Sequence, residues 1–247
     1  MVVDVHCHLL PGIDDGPQTL DDALKLARHA AASGIARSIL TPHILPNRYD
    51  NTLEGIRKAA DNFRKALAAN RIPLEIGYAA EVRIGPEIVA LAEAHVLPFL
   101  GTVDGYRIAL IEFSDSHILP GSDKLAAWLL GRKIRPLIAH PERNKDVMRD
   151  VDLIAPFVQM GCWLQLTAGS LTGGFGPRCQ ERSHQLLERG WVSCIASDAH
   201  NATRLPELEP ARAAAEDVVG AEESWRLVRE RPGAISAANP AFAEHVK

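Results

Sequence analysis

Cysteine is scarce and unpatterned in this chain, with four residues, at positions 7, 162, 179 and 194, among 247. No paired spacing occurs, so a disulfide-stapled scaffold is excluded and free thiols in a reducing compartment are expected. Long apolar runs are missing too. Nothing approaches the roughly 20 residues of a membrane span, and the opening MVVDVHCHLLPG is too short and too polar for a secretory signal. The expectation is a cytoplasmic protein without membrane insertion. Lys/Arg clusters are absent and the formal net charge is −4, which argues against nucleic acid, whose phosphates are held mainly by cationic side chains. A basic partner, or a metal ion that offsets acidic residues, fits better. No polar linker or low-complexity stretch interrupts the chain, and 47% hydrophobic with 23% charged residues can bury a substantial core. Residues 1–247 are therefore expected to form one domain.

What is present is an alternation. Short apolar, β-branched runs at Val2–Val5, Ser38–Thr41, Leu74–Tyr78, Arg107–Phe113, Arg135–His140, Trp163–Thr167 and Val192–Ser197 predict strands. Segments of helical period lie between them. Thr52–Asn70 is the clearest, with Leu53, Ile56, Ala60, Phe63 and Leu67 on one stripe. An earlier helix is announced by Thr19 and Asp22, a capping-box-like pair, and ends near Gly34. Strand, loop and helix repeated about seven times predict an α/β fold with parallel strands, most simply a closed or distorted barrel, with a doubly wound open sheet as the other architecture.

The ionisable residues then fall into a pattern. His6 and His8 follow the first strand, and side chains two apart on extended backbone face the same way, so both imidazoles can reach one cation while Cys7 points away. Alone, a His-x-His pair is equally consistent with hydrogen bonding to backbone. However, His43, Glu81, Glu112, His140, Asp198 and His200 also sit at or just beyond the C-terminal ends of their strands. In a parallel barrel those ends converge on one face, where active sites form. Several carboxylates and histidines crowded there are costly unless a multivalent cation resolves the repulsion. Asp14 and Asp15, in GIDDG, are weaker candidates because Asp-Gly is a common turn dipeptide. His29, His95, His117, His184 and His245 lie in helical or connecting segments and read as structural or exposed.

The elements VDVHCHLLPGIDDG, TPH, the Glu81 position, ALIEF, AHPER and ASDAHN resemble, as a series, the motifs of the PHP (polymerase and histidinol phosphatase) superfamily. Within it the sequence is most similar to the manganese-dependent protein tyrosine phosphatases encoded with bacterial capsule and exopolysaccharide genes. The likeness runs from Val2 to about Leu205 and less distinctly to Asn239-Pro240. It implies a PHP-type distorted (βα)7 TIM-like barrel holding up to three metal ions. The implied ligands are His6, His8, Asp15, His43, Glu81, Glu112, His140, Asp198 and His200, with Glu81 bridging two ions. Manganese is the implied metal; ligands that are nitrogen and oxygen only also suit iron or zinc.

Arg143 and Arg204 follow His140 and His200 on loops of the same face, and a guanidinium there can hold phosphate oxygens with two parallel donors. The loop after His43 carries Arg48 and Tyr49 and is placed to border a substrate. The resemblance implies a hydroxide generated on the ions that attacks phosphorus directly. A phosphotyrosine leaving group, with a pKa of about 10, needs little proton donation. A thiol mechanism would require Cys, five residues, Arg. The sixth positions after the four cysteines are Ile13, Ala168, Gln185 and His200, none an arginine. The expected partner is a phosphotyrosine protein, specifically a bacterial tyrosine kinase that controls polysaccharide synthesis. A small-molecule phosphatase acting on a compound such as histidinol phosphate, and a non-catalytic metal-stabilised PHP module, are the alternatives.

Overall fold

The computed structural model describes residues 1–243; His245 lies outside them. Strand β1 (Val2–Cys7) pairs in parallel with β2 (Ile35–Leu40), and β2 with β4 (Glu75–Tyr78). After Leu40 and Tyr78 the second and third staves step sideways and resume as β3 (His43–Ile44) and β5 (Glu81–Arg83), which pair with each other. Pro42 lies in the first step, where its lack of an N–H costs no ladder bond. From β5 the parallel order continues through β7 (Tyr106–Glu112), β8 (Ile134–Ala139), β9 (Trp163–Thr167) and β10 (Val192–Ala196). The ring closes beyond the last strand. There Cys7 bridges Ala199, while the His8 and Asp198 N–H groups donate to the Ala199 and His6 carbonyls, each at 2.8 Å. Counting β2/β3 and β4/β5 as one stave each, the barrel has seven parallel staves, and every predicted strand run falls on one of them. The architecture is thus a distorted barrel, not an open sheet.

Strand β6 (Gly101–Val103) was not legible as a strand. It is a three-residue antiparallel partner of β7, turned back by Asp104 and Gly105, both at positive φ (52° and 75°). That is the hairpin turn Asp-Gly favours. The predicted helices are present as α1 (Leu20–Ala32) and α2 (Leu53–Ala69), with Thr19 and Thr52 accepting from the Asp22 and Gly55 N–H groups as caps. Along α2 the buried stripe is Ile56, Ala60, Phe63 and Leu67.

Two apolar clusters follow from strands buried on both faces. The inner one, including Val3, Val5, Ile39, Ile108, Leu110, Leu137 and Ala196, fills the barrel, and the larger one lies between the staves and the surrounding helices. Truncating a Leu in such a setting costs about 2–5 kcal/mol, so the floor beneath the strand ends is rigid. The far end is closed by the C-terminal segment. Asn239, 1% exposed, donates to the Tyr78 and Leu100 carbonyls at 3.1 and 3.0 Å, and helix Arg231–Ala237 packs on Gly101, where a Cβ would lie 1.9 Å from the Ile235 carbonyl oxygen. Among the described residues no helix is long and apolar enough to cross a membrane.

Candidate metal centre

At the C-terminal ends of the staves the inward positions change from apolar to ionisable. His6 and His8 leave β1 on one face, their Nε2 atoms 3.2 Å apart, while Cys7 turns into the outer core. The GIDDG loop folds back over them. The Asp14 carboxylate accepts from Gly16 N–H at 3.0 Å and His43 N–H at 3.1 Å and meets His8 Nδ1 at 2.7 Å. Gly16 is required there, since a Cβ would lie 2.4 Å from the His8 carbonyl oxygen. Asp15 is thereby aimed at His43 Nε2 (3.3 Å) and His200 Nε2 (3.4 Å). Glu81, fully buried at the start of β5, turns one oxygen to His140 Nε2 (2.9 Å) and the other to His6 Nε2, His8 Nε2 and His43 Nδ1 (3.3, 3.3 and 3.0 Å). Glu112 ends β7, and its Oε1 stands 4.0 Å from His140 Nε2. His140 and Asp198 both sit at positive φ, 31° and 51°. Strain of this kind concentrates at functional sites, and here it turns each side chain off the end of its strand.

The nine residues form four overlapping groups whose donor atoms all lie within 4.8 Å of one another: His8, Asp15, His43 and His200; His6, His8 and Glu81; His6, His140 and Asp198; and His43, Glu81 and Glu112. These nine are the residues the motif series implied. A multivalent cation suits the chemistry. Glu81 Oε2 touches three ring nitrogens, yet neither it nor Glu112 Oε2 receives an aligned hydrogen bond. Three imidazoles are held from behind: His6 Nδ1 by Gln165 Oε1 (2.8 Å), His8 Nδ1 by Asp14 and His200 Nδ1 by the Asp198 carbonyl (2.9 Å). Each keeps its Nε2 directed into the cluster, the arrangement that orients a metal-ligating histidine. Gln165 was missed, although a fully buried polar side chain inside the apolar run WLQLT is the signal that finds it.

The electrostatics have the same origin. Burial works against charge on His8 and His43, but hydrogen bonds to Asp14 and Glu81, and to Asp15 and Glu81, outweigh it and hold their pKa values at about 9 and about 11. Burial and the neighbouring Glu81 charge raise Glu112 to about 7. For His140, burial and the Arg143 charge lower it to about 4. Asp198 lies well below the carboxylate range, since burial is outweighed by His6, His140 and both arginines. His8 and His43 thus hold protons on lone pairs for which a metal ion would compete.

Arg143 and Arg204 stand at the rim. Both donate to Asp198 Oδ2, Arg143 at 2.6 Å, while Asp198 Oδ1 faces His6 Nε2 at 3.4 Å. Both guanidinium groups also lie over the Phe175 ring, at 4.5 and 5.3 Å from its centroid. Phe175 was not singled out in the sequence. It is seated by a glycine-rich turn, in which Gly174 N–H donates to the Gly169 carbonyl at 2.7 Å and a Cβ on Gly169 would meet the ring at 2.9 Å. Tyr49 stacks on His43 (5.6 Å, 11°), and with Arg48, Arg83 and Asp115 it edges a cleft of about 100 Å³ over the cluster. Arg83, also missed, contacts Glu112 at 2.9 Å. Elsewhere, His29 pairs with Glu207 at 2.6 Å, His95 is exposed, His117 lies near Asp146, and His184 sits in a helix away from the cluster. All four cysteines are buried and unpaired, and burial pushes the Cys162 and Cys194 thiols up to about 12 and Cys7 well above its usual value.

Compared with known proteins, residues 2–236 match the family model described as capsular polysaccharide synthesis, CpsB/CapC. The chain belongs to this family. Its relatives include the tyrosine-protein phosphatase YwqE of Bacillus subtilis, 36% identical over 81% of this chain and 78% of that protein. Another is the putative tyrosine-protein phosphatase CapC of Staphylococcus aureus, 31% identical over 83% and 79%. A crystal structure from work on YwqE and the Streptococcus pneumoniae protein CpsB, described there as unique metal-dependent tyrosine phosphatases, superposes with a TM-score of 0.88 at 33% identity, over 95% of this chain and 94% of the other. The phosphotriesterase homology protein of Escherichia coli shares the fold alone, with a TM-score of 0.60 at 14% identity over 94% and 97%.

Proposed function

We propose that this protein is a metal-dependent protein tyrosine phosphatase of bacterial capsule or exopolysaccharide synthesis, acting on a phosphotyrosine protein, specifically the tyrosine kinase of that system. The observation that carries the reading is nine histidines and carboxylates, placed so that they could hold metal ions, in four overlapping groups beneath two arginines. Membership of a family whose named relatives are tyrosine phosphatases supports it.

His6, His140 and Asp198, then His8, Asp15, His43 and His200, with Glu81 shared between groups and Glu112 beside it, would hold up to three ions, manganese in preference to iron or zinc. When bound, the ions would supply Lewis acidity that acidifies water and offsets charge on the phosphoryl oxygens. The chain's own residues do the positioning. Asp14, Gln165 and the Asp198 carbonyl fix the imidazoles of His8, His6 and His200. Arg143 and Arg204, which donate to Asp198 Oδ2, have further guanidinium N–H groups to present to an entering phosphate. Tyr49 gives the tyrosyl ring of a substrate an aromatic wall. An aryl oxygen with a pKa of about 10 leaves without a strong general acid.

Turnover of phosphotyrosine peptides should stop on chelation and return with manganese better than with magnesium, because mixed imidazole and carboxylate ligands suit the former. Full turnover in chelator, or turnover confined to histidinol phosphate, would overturn the proposal.

A further inference from the structure

A second charged surface borders the cleft. Helix Lys145–Arg149 begins two residues after Arg143, and helix Pro177–Glu188 begins two residues after Phe175, the ring that carries both rim arginines. The two helices form a groove of about 520 Å³ lined by Lys145, Met148, Arg149, Arg178, Glu181 and Arg182. Four cations and one carboxylate line it, in a chain whose net charge is −4. Arg149 is paired with Asp146. Arg182 bonds only neutral groups, the Met148 carbonyl and the Gln185 side chain. Lys145 and Arg178 are exposed and have no carboxylate partner among the described residues. A carboxylate three or four residues away on the same helix can neutralise such a cation, as Asp146 does for Arg149; Lys145, Arg178 and Arg182 line the groove with no such ion pair among the described residues.

The groove adjoins the cleft along the chain. The Lys145 N–H donates to the carbonyl of Asp115, a cleft residue, at 2.9 Å. Chain geometry keeps Lys145 within about 7 Å of Arg143 and Arg178 within about 10 Å of Phe175. An extended peptide advances roughly 3.3 Å per residue, so the residues three to five positions from a tyrosine seated in the cleft would lie in the groove.

We propose that this groove is a docking surface for an acidic peptide segment three to five residues from the phosphotyrosine, so that it selects phosphotyrosine sites with acidic flanks. This rests on the phosphatase reading but is tested separately from it. Nucleic acid and anionic membrane offer the same charge, but the direct chain connection from Arg143 at the cleft to Lys145 in the groove favours a segment flanking the cleft's own substrate, the peptide.

The test compares phosphotyrosine peptides carrying three Glu, three Gln or three Lys at positions 3 to 5 on either side, with p-nitrophenyl phosphate as the flank-free substrate, for the wild-type holoenzyme and the double variant Lys145→Glu, Arg178→Glu. The expected result is a kcat/KM preference of roughly fivefold or more for Glu over Gln flanks on one side, carried by KM and erased near 1 M salt, where the screening length falls to about 3 Å. The double variant should lose or invert that preference and turn over p-nitrophenyl phosphate as the wild type does. A parallel fluorescence-anisotropy measurement with unphosphorylated, labelled Glu-flanked peptide gives the same comparison without turnover. If no aryl phosphate is hydrolysed the phosphatase reading falls, and anisotropy alone judges the groove. Equal kcat/KM for Glu and Gln flanks, a preference unchanged in the double variant, or tighter binding of single-stranded DNA or phosphatidylserine vesicles through the same two residues, would overturn the proposal.

Discussion

At the scale of single residues, the site separates groups that would hold metal from groups that would hold phosphate, although Asp198 touches both. Changing Arg143 to Ala should leave metal content and thermal stability near wild type while kcat/KM falls on the order of a hundredfold, as for loss of one strong electrostatic contact. Lysine should rescue only in part, restoring charge without the two-pronged geometry. By contrast His140→Ala, three residues away, should lower metal occupancy as well as rate, because it removes a donor from the group it forms with His6 and Asp198. Elemental analysis beside steady-state kinetics tells the two apart; normal kinetics in Arg143→Ala would remove the role given to it. Phe175 acts through its neighbours. Phe175→Ala frees both guanidinium groups, so KM for an aryl phosphate should rise several-fold with metal content unchanged, and Phe175→Tyr, which keeps the ring face, should restore it. A wild-type KM in Phe175→Ala would count against this positioning role.

At the scale of elements, the staves carry the candidate ligands and the C-terminal segment holds the staves. Asn239 joins the Tyr78 and Leu100 carbonyls at the end of the barrel away from the cluster. Asn239→Ala removes a buried donor that serves both carbonyls, and unfolding in urea should show a loss of about 1–3 kcal/mol. Metal content of the folded fraction should stay near wild type, since the change is at the opposite end of the barrel. A change in metal content without a change in stability would contradict that division of labour.

At the scale of the whole molecule, metal binding and folding are linked, because the nine candidate ligands come from positions 6 to 200 and are brought together only by the closed barrel. An ion that binds the folded form alone, at 100 times its dissociation constant, stabilises it by about 2.7 kcal/mol, or roughly 5–10 °C in a chain of this size. A thermal shift that fails to follow added manganese would argue against the cluster as a metal centre. The cysteines supply the opposite control. Their thiols titrate above the usual range, so the reactive thiolate is suppressed at neutral pH and increases only as pH rises toward those values. Iodoacetamide at pH 8 should therefore modify the unfolded protein rapidly and the native protein slowly, without inactivating it. Rapid inactivation by stoichiometric labelling of one cysteine would reopen a thiol mechanism.

Much of this was legible in the sequence for a physical reason. Parallel staves buried on both faces must be written as apolar runs, so His43, Glu81, His140, Asp198 and His200 stand out at or beyond their ends, and the parallel topology obliges those ends to meet. Local chemistry also announced the cap at Thr19. What the sequence left open depends on contacts between segments remote from each other. Asp14 is indistinguishable from an ordinary turn residue until the loop folds onto His8, and Phe175 is one aromatic in a glycine-rich turn until both arginines lie on it. Lys145 and Arg149 are separated from Arg178 and Arg182 by about thirty residues of chain. Pattern and propensity act over a few neighbouring residues and could specify the staves; only the packing of two helices at the edge of the barrel could bring those four cations into one groove.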